Sequence, residues 1–128
     1  MEDTPEPGAR LVADVFASDC TSRATFEDVT GRWASLVLLA LGESSHRFGE
    51  LRRRVEGVSE KMLAQTLRAL ERDGLLTRTP HPTEALRVDY ALTALGTQVA
   101  TRLRALADVL ESAVPTVDAA RERYDGAA

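Results

Sequence analysis

Residues 58–76 read "VSEKMLAQTLRALERDGLL". The stretch has the start, body and stop of one amphipathic helix. Ser59 is placed to cap it, Val58 to staple onto Leu63, and Gly74 to close its far end. Leu63, Leu67 and Leu70 recur at i, i+4, i+7 and mark one apolar face. Lys61, Gln65, Arg68 and Arg72 gather on the opposite face. Long, flexible, hydrogen-bonding side chains of this kind ordinarily just meet water. Whether they do more here depends on what surrounds the helix.

Immediately upstream, "ESSHRFGELRRRVEG" (43–57) opens on a serine cap, carries Phe48, Leu51 and Val55 as a core stripe, and ends at Gly57. Only Gly57 and Val58 separate this helix from the Ser59 cap. Two helices joined by so short a turn containing glycine are a helix-turn-helix signature. Downstream of Gly74 the period changes. "LLTRT" (75–79) and "LRVDYAL" (86–92) read as strands, with Val88, Tyr90 and Leu92 alternating, and "PHPTEA" (80–85) is a loop tip. A helix-turn-helix followed by a hairpin is a winged helix, a mainly α fold with a small β-hairpin wing. That architecture presents its second helix to the DNA major groove.

Farther out, "GRWASLVLLALG" (31–42) is apolar nearly all round and is expected to be a central buried helix ending at Gly42. Thr21 or Ser22 is placed to cap a short helix carrying Phe26 and Val29. "ARLVADVFA" (9–17) puts Leu11, Val12, Val15 and Phe16 on one helical stripe, broken by "SDCTSR" (18–23). "MEDTPEPG" (1–8) is acidic with two prolines, and residues 1–9 are expected to form a disordered tail ahead of one domain over 10–128. At the other end Thr93 caps a long helix. Its Val99, Leu103, Leu106, Leu110 and Ala113 are spaced 4, 3, 4, 3, the spacing of a packing seam. The seam packs either on its own domain or on a second copy. Pro115 stops this helix, and "TVDAARERYDGAA" (116–128) offers a short last one.

The 128 residues suit a single domain with a modest core of Leu, Val and Ala, because aromatics are only 5%. The net charge of −4 argues at first against a nucleic-acid partner, but its distribution does not. Residues 1–31 hold two Arg against seven Asp/Glu, residues 32–90 hold ten Lys/Arg against eight, and residues 91–128 hold four against five. The middle is the positive part. Fifteen of the sixteen basic residues are Arg, and the one lysine, Lys61, lies on the polar face described first. A lone cysteine, Cys20, excludes an internal disulfide framework and is in keeping with a reducing cytoplasm. No apolar run reaches the length of a membrane span, and no signal peptide is visible. There is no phosphate-binding loop, no Cys/His metal cluster and no nucleophile–base pair at motif spacing. No catalytic residue, metal or cofactor is therefore expected, and His81 has only His46 as a histidine partner. The rival to a DNA-binding regulator is a winged helix used for protein–protein contact, which the negative net charge favours slightly.

With these elements in order, the chain resembles the HxlR-type family of bacterial winged-helix transcription regulators from about Cys20 to Leu110. "GRW" (31–33) matches the family's Gly-Lys-Trp with Arg32 in place of Lys, and "RFGEL" (47–51) its Arg-Phe-x-Glu-Leu. "VSEKMLAQTLRALERDGLLTR" (58–78) resembles its recognition helix and first wing strand. "RVDYALTALG" (87–96) resembles its second wing strand and the start of its last long helix. The family tends to place a Cys-Pro pair thirteen residues before the tryptophan; Cys20 stands there, followed by Thr21. The resemblance implies a homodimer on an inverted-repeat operator. The N-terminal region, with Leu11 and Val15, and the C-terminal helix, with Val99, Leu103, Leu106 and Leu110, would build the dimer.

Chemistry assigns the DNA roles. Ser59 at a helix N-terminus suits a phosphate. Lys61 and Gln65 lie where base edges would be closest, since Gln can read adenine and Lys guanine, and Met62 and Thr66 could touch a thymine methyl. Arg68 and Arg72, farther along, suit phosphate or solvent. Arg32, Arg47, Arg78, His81 and Arg87 are candidates for backbone and wing contacts. The Arg52-Arg53-Arg54 run is read mostly as solvated surface, and Trp33 as a core residue rather than the wall of a ligand pocket. Cys20 is either an inert small residue or a sensor of a small electrophile or oxidant, as in some family members. A helix start favours its thiolate, Arg23 could add to this, and Asp19 opposes it.

Overall fold

The computed structural model describes residues 13–127. The elements run α1 (Thr21–Val29), α2 (Ala34–Glu43), β1 (His46–Arg47), α3 (Phe48–Arg54), α4 (Glu60–Arg72), β2 (Leu76–Pro80), β3 (Val88–Leu92), α5 (Ala94–Ser112) and α6 (Val114–Ala127). The three strands form one antiparallel sheet in the order β1-β3-β2. In the hairpin Leu76 pairs with Leu92 and Pro80 with Val88, so residues 81–87 are the wing loop. The winged helix-turn-helix is in place.

One core holds these layers together. Val37, Leu38 and Leu41 of α2, Leu51 of α3, Leu63, Leu67 and Leu70 of α4, Leu75 just before β2, and Leu76 and Tyr90 of the sheet are all buried. Trp33 packs against this cluster, half-buried. Its flank meets the turn between α3 and α4: a Cβ on Gly57 would sit 3.6 Å from Trp33 Cη2. The caps of α4 follow the sequence. Ser59 Oγ accepts the Met62 amide at 3.1 Å. At the far end Gly74 takes a φ of +78°, and the Leu75 amide reaches back to the Leu70 carbonyl at 2.9 Å. Thr93 ties the next helix to this corner: its hydroxyl donates to the Gly74 carbonyl at 2.7 Å and accepts the Gly96 amide at 3.0 Å. Gly96 packs so closely there that a Cβ would lie 1.9 Å from the Leu75 carbonyl oxygen.

Several expectations are corrected. The helix before the turn does not start at the serines. His46 and Arg47 are extended and pair with Tyr90 and Asp89, so the wing gains a third strand. The helix opens at Phe48, where the Glu50 carboxylate accepts the Arg47 amide at 2.8 Å. At the N-terminus, residues 13–20 form turns rather than the end of a helix. The Asp14 carboxylate takes the Phe16 amide at 2.9 Å, and the Ala17 and Cys20 amides close short turns onto Asp14 and Ala17. Phe16 is 88% exposed. Leu11, Val12 and the tail over 1–9 lie outside the described residues. The cap of α1 is Cys20, and Thr21 and Ser22 already lie within the helix. Leu36 leaves the central helix partly bare. Pro115 does not end the helical path. It falls in the first turn of α6, where its missing N–H costs nothing.

The seam divides. Val99 and Leu103 pack against the domain's own core. Leu106 and Leu110, at 54% and 55% exposure, project beyond it with Val109 and Val114. The described part of α6 buries no residue at all.

Candidate nucleic-acid interface

Helix α4 is fixed from behind. Leu63 and Leu70 are fully buried and Leu67 nearly so, which sets the rotation of the helix. That rotation turns Lys61, Gln65, Arg68 and Arg72 outward, all exposed. Among the described residues none of these three cations has a carboxylate within ion-pair distance. Ser59 uses its oxygen as the helix cap and keeps its proton free to donate outward.

Two clefts border this helix and the wing. The first lies between α4 and the turn joining α1 to α2, with Met62, Gln65 and Thr66 on one wall and Arg32 and Trp33 on the other. The Arg32 guanidinium lies 5.0 Å from the Trp33 ring centre, which orients it without neutralising it. The second lies between α3 and the wing and brings Arg47, Arg53, Arg78 and Arg87 together. Sequence reading grouped Arg47, Arg78 and Arg87 and omitted Arg53, because the direction of one arginine in a run of three has no periodic signal.

Two wing residues are already engaged. Arg87 donates to Glu84 at 3.0 Å and to Asp89 at 3.3 Å, and the Glu84 carboxylate raises its pKa above the ordinary guanidinium value. His81 Nδ1 accepts the amides of Thr83 and Glu84 at 3.2 and 3.0 Å, and its Nε2 lies 4.0 Å from a Glu84 carboxylate oxygen, so the ring shapes the loop. Leu86 stands at this loop with a φ of +68° and is fully exposed.

Cys20 lies at the N-cap of α1 and is partly exposed. Its Sγ is 3.2 Å from Ser22 Oγ. That hydroxyl first, and neighbouring backbone amides next, hold the thiol below its ordinary pKa. Arg23 contributes only through its backbone amide, the smallest of these causes; its guanidinium is directed to Glu27 at 2.8 Å and to the Phe16 carbonyl at 3.2 Å. Between α1 and the end of α4, burial and the neighbouring Asp28 raise the Asp73 carboxyl above the ordinary aspartate value. One Asp73 oxygen, Oδ2, is buried without a hydrogen-bond partner among the described residues.

A rigidly seated second helix with a bare cationic face, flanked by a wing, defines a winged helix-turn-helix DNA-binding transcriptional regulator. The chain belongs to the HxlR family, whose model, described as HxlR-like helix-turn-helix, matches residues 28–118. It is 50% identical over 109 residues to the HTH-type transcriptional regulator YtfH of Escherichia coli, covering 85% of this chain and 86% of that one. Among solved structures it is similar to the transcriptional regulator YtfH of Salmonella typhimurium, with 50% identity and a TM-score of 0.79 over 86% of this chain and 98% of that one. It is also similar to the redox regulator HypR in its oxidized form, with 27% identity and a TM-score of 0.66 over 73% and 96% of the respective chains, figures shared to within a few points by other regulators of the fold. These relatives are regulators, not enzymes. Among the described residues no helix is long and apolar enough to cross a membrane.

Proposed function

We propose that the chain acts as a homodimer that places two α4 helices in successive major grooves of an inverted-repeat operator. The observation that carries this reading is α4 itself: a helix locked by three buried leucines whose outward cations have no partner in the described chain. Lys61 and Gln65 read base edges, Met62 and Thr66 flank them, and Ser59, Arg32, Arg47, Arg68 and Arg78 meet the backbone. Arg87 and His81 hold the shape of the wing.

The second copy covers the distal half of α5. Leu106, Val109, Leu110 and Val114 are each more than half exposed, and this stripe supports an isologous contact between two copies. Val15 of the N-terminal turns, at 39% exposure, is available to the same interface. A dimer of this kind sets the half-site spacing, and an effector would act by changing it.

Cys20 is the candidate effector site. Its lowered pKa, partial exposure and place at the start of α1 support reaction with a small electrophile or oxidant, and the similarity to a redox regulator supports the same reading. A lone thiol gives a disulfide with a second chain, a mixed disulfide or a sulfenic acid. The test is a mobility shift on duplexes tiling the DNA upstream of the protein's own gene, with the mass of the complex measured alongside. Two chains per bound duplex are expected. A single chain per duplex, or no duplex bound at any low-salt condition, would contradict the reading.

A further inference from the structure

Three consecutive arginines have three different surroundings. Arg52 lies 3.5 Å from Glu60, and Arg54 grips Glu43 through two hydrogen bonds of 2.9 and 2.6 Å. Arg53, between them, has no carboxylate within ion-pair distance among the described residues. Its guanidinium lies along the first turn of α3, with Nη1 3.5 Å from where a Cβ on Gly49 would be. There it lines the cleft between α3 and the wing, a space of about 620 Å³.

Arg78 reaches the same cleft from β2, exposed and, among the described residues, equally without a carboxylate partner. The other charges lining this cleft are accounted for. Arg87 is held by Glu84 and Asp89, and Glu50 is held by the Arg47 amide and lies 3.8 Å from the Arg47 guanidinium. Two free guanidinium groups from two different elements therefore line one open cleft. Their mutual repulsion is relieved by an anion between them, and a planar fork of N–H donors suits the two free oxygens of a phosphodiester.

We propose that Arg53 and Arg78 clamp one backbone phosphate of duplex DNA in the cleft between α3 and the wing. The clamp rests on the reading of α4 as the DNA-reading helix, and fixes the register in which α4 enters the groove. It carries no base preference, because a phosphate is the same at every step.

The experiment measures anisotropy of a fluorescein-labelled duplex of mixed sequence between about 50 and 200 mM salt. It compares wild type, Arg53→Gln, Arg78→Gln, the double variant, Arg53→Lys, and Arg54→Gln as a control of equal charge on another face. Melting temperature is followed for each. Arg53→Gln and Arg78→Gln are expected to weaken binding by about 5- to 10-fold each and to lower the slope of log affinity against log salt by about one. Because both hold one phosphate, the double variant lowers the slope by about one and not two. Arg53→Lys recovers most of the slope, and Arg54→Gln stays at wild type. An Arg53→Gln variant indistinguishable from Arg54→Gln overturns the clamp while wild-type binding upholds the α4 reading. Failure of the wild type to bind any duplex overturns the α4 reading and the clamp with it.

Discussion

Helix α4 and the distal half of α5 carry apolar stripes of the same kind with opposite fates. In α4, Leu63 and Leu70 are fully buried, with the helix packed against α1, α2 and β2. In α5, Leu106 and Leu110 repeat at comparable spacing and remain more than half exposed. A stripe at helical spacing specifies a face that requires cover; it does not specify what supplies the cover. For α4 the chain supplies it, which leaves the polar side free for a partner. For α5 the chain runs past its own domain after Leu103, and the apolar side itself is left for a partner.

The strongest test of this contrast compares truncations. Leu67→Ala removes side-chain packing from the centre of the core and is expected to cost about 2–5 kcal/mol in urea unfolding. Leu106→Ala removes a side chain with little of its own domain around it and should cost far less in a dilute monomer. Equal losses in the two would erase the distinction. The next effect is on assembly. Leu106→Glu is expected to halve the solution mass by light scattering while the circular dichroism spectrum is kept, since the charge meets water in the monomer and is buried only in the dimer. A folded Leu106→Glu dimer would place the interface elsewhere.

Much of the fold was readable because it rests on local rules. Ser59, Gly74 and the leucine spacing define α4, and the change of period after Gly74 defines the hairpin. What escaped has no local signal. The two-residue strand His46–Arg47 exists only because Tyr90 and Asp89 offer it a ladder edge. The stripe proposed over residues 9–17 meets, in its described part, an Asp14 side chain that draws the backbone into a turn. The division of α5 depends on where the domain ends in space. In the interface, the residues on α4 followed from periodicity. The free state of Arg53 followed only from seeing Glu60 and Glu43 taken by its neighbours.

A smaller effect sharpens the account of how α4 is held. Asp73, at the end of α4, has a carboxyl pKa raised by burial and by Asp28 on α1, and Arg72 opposes the shift. A carboxyl whose folded pKa is raised contributes stability that is full below its unfolded pKa and is lost as pH rises through the folded value. As pH rises through that value, the Asp73 charge forms in a site that burial, and then the neighbouring Asp28, disfavour. Asp73→Asn is therefore expected to raise the melting temperature near pH 7 and to change it little near pH 4. A shift of the same size at both would show that ionisation of Asp73 is not what limits stability at this corner.

The most direct measurement of the central claim sets Gln65→Ala against Arg68→Ala, on a bound upstream duplex and on its single-base variants. Gln65→Ala is expected to cost about 1–3 kcal/mol on the preferred duplex and to relax preference at one position. Arg68→Ala should instead weaken binding to all the duplexes alike and flatten the salt dependence. Base preference left unchanged by Gln65→Ala would contradict the claim that the outward face of α4 reads DNA sequence.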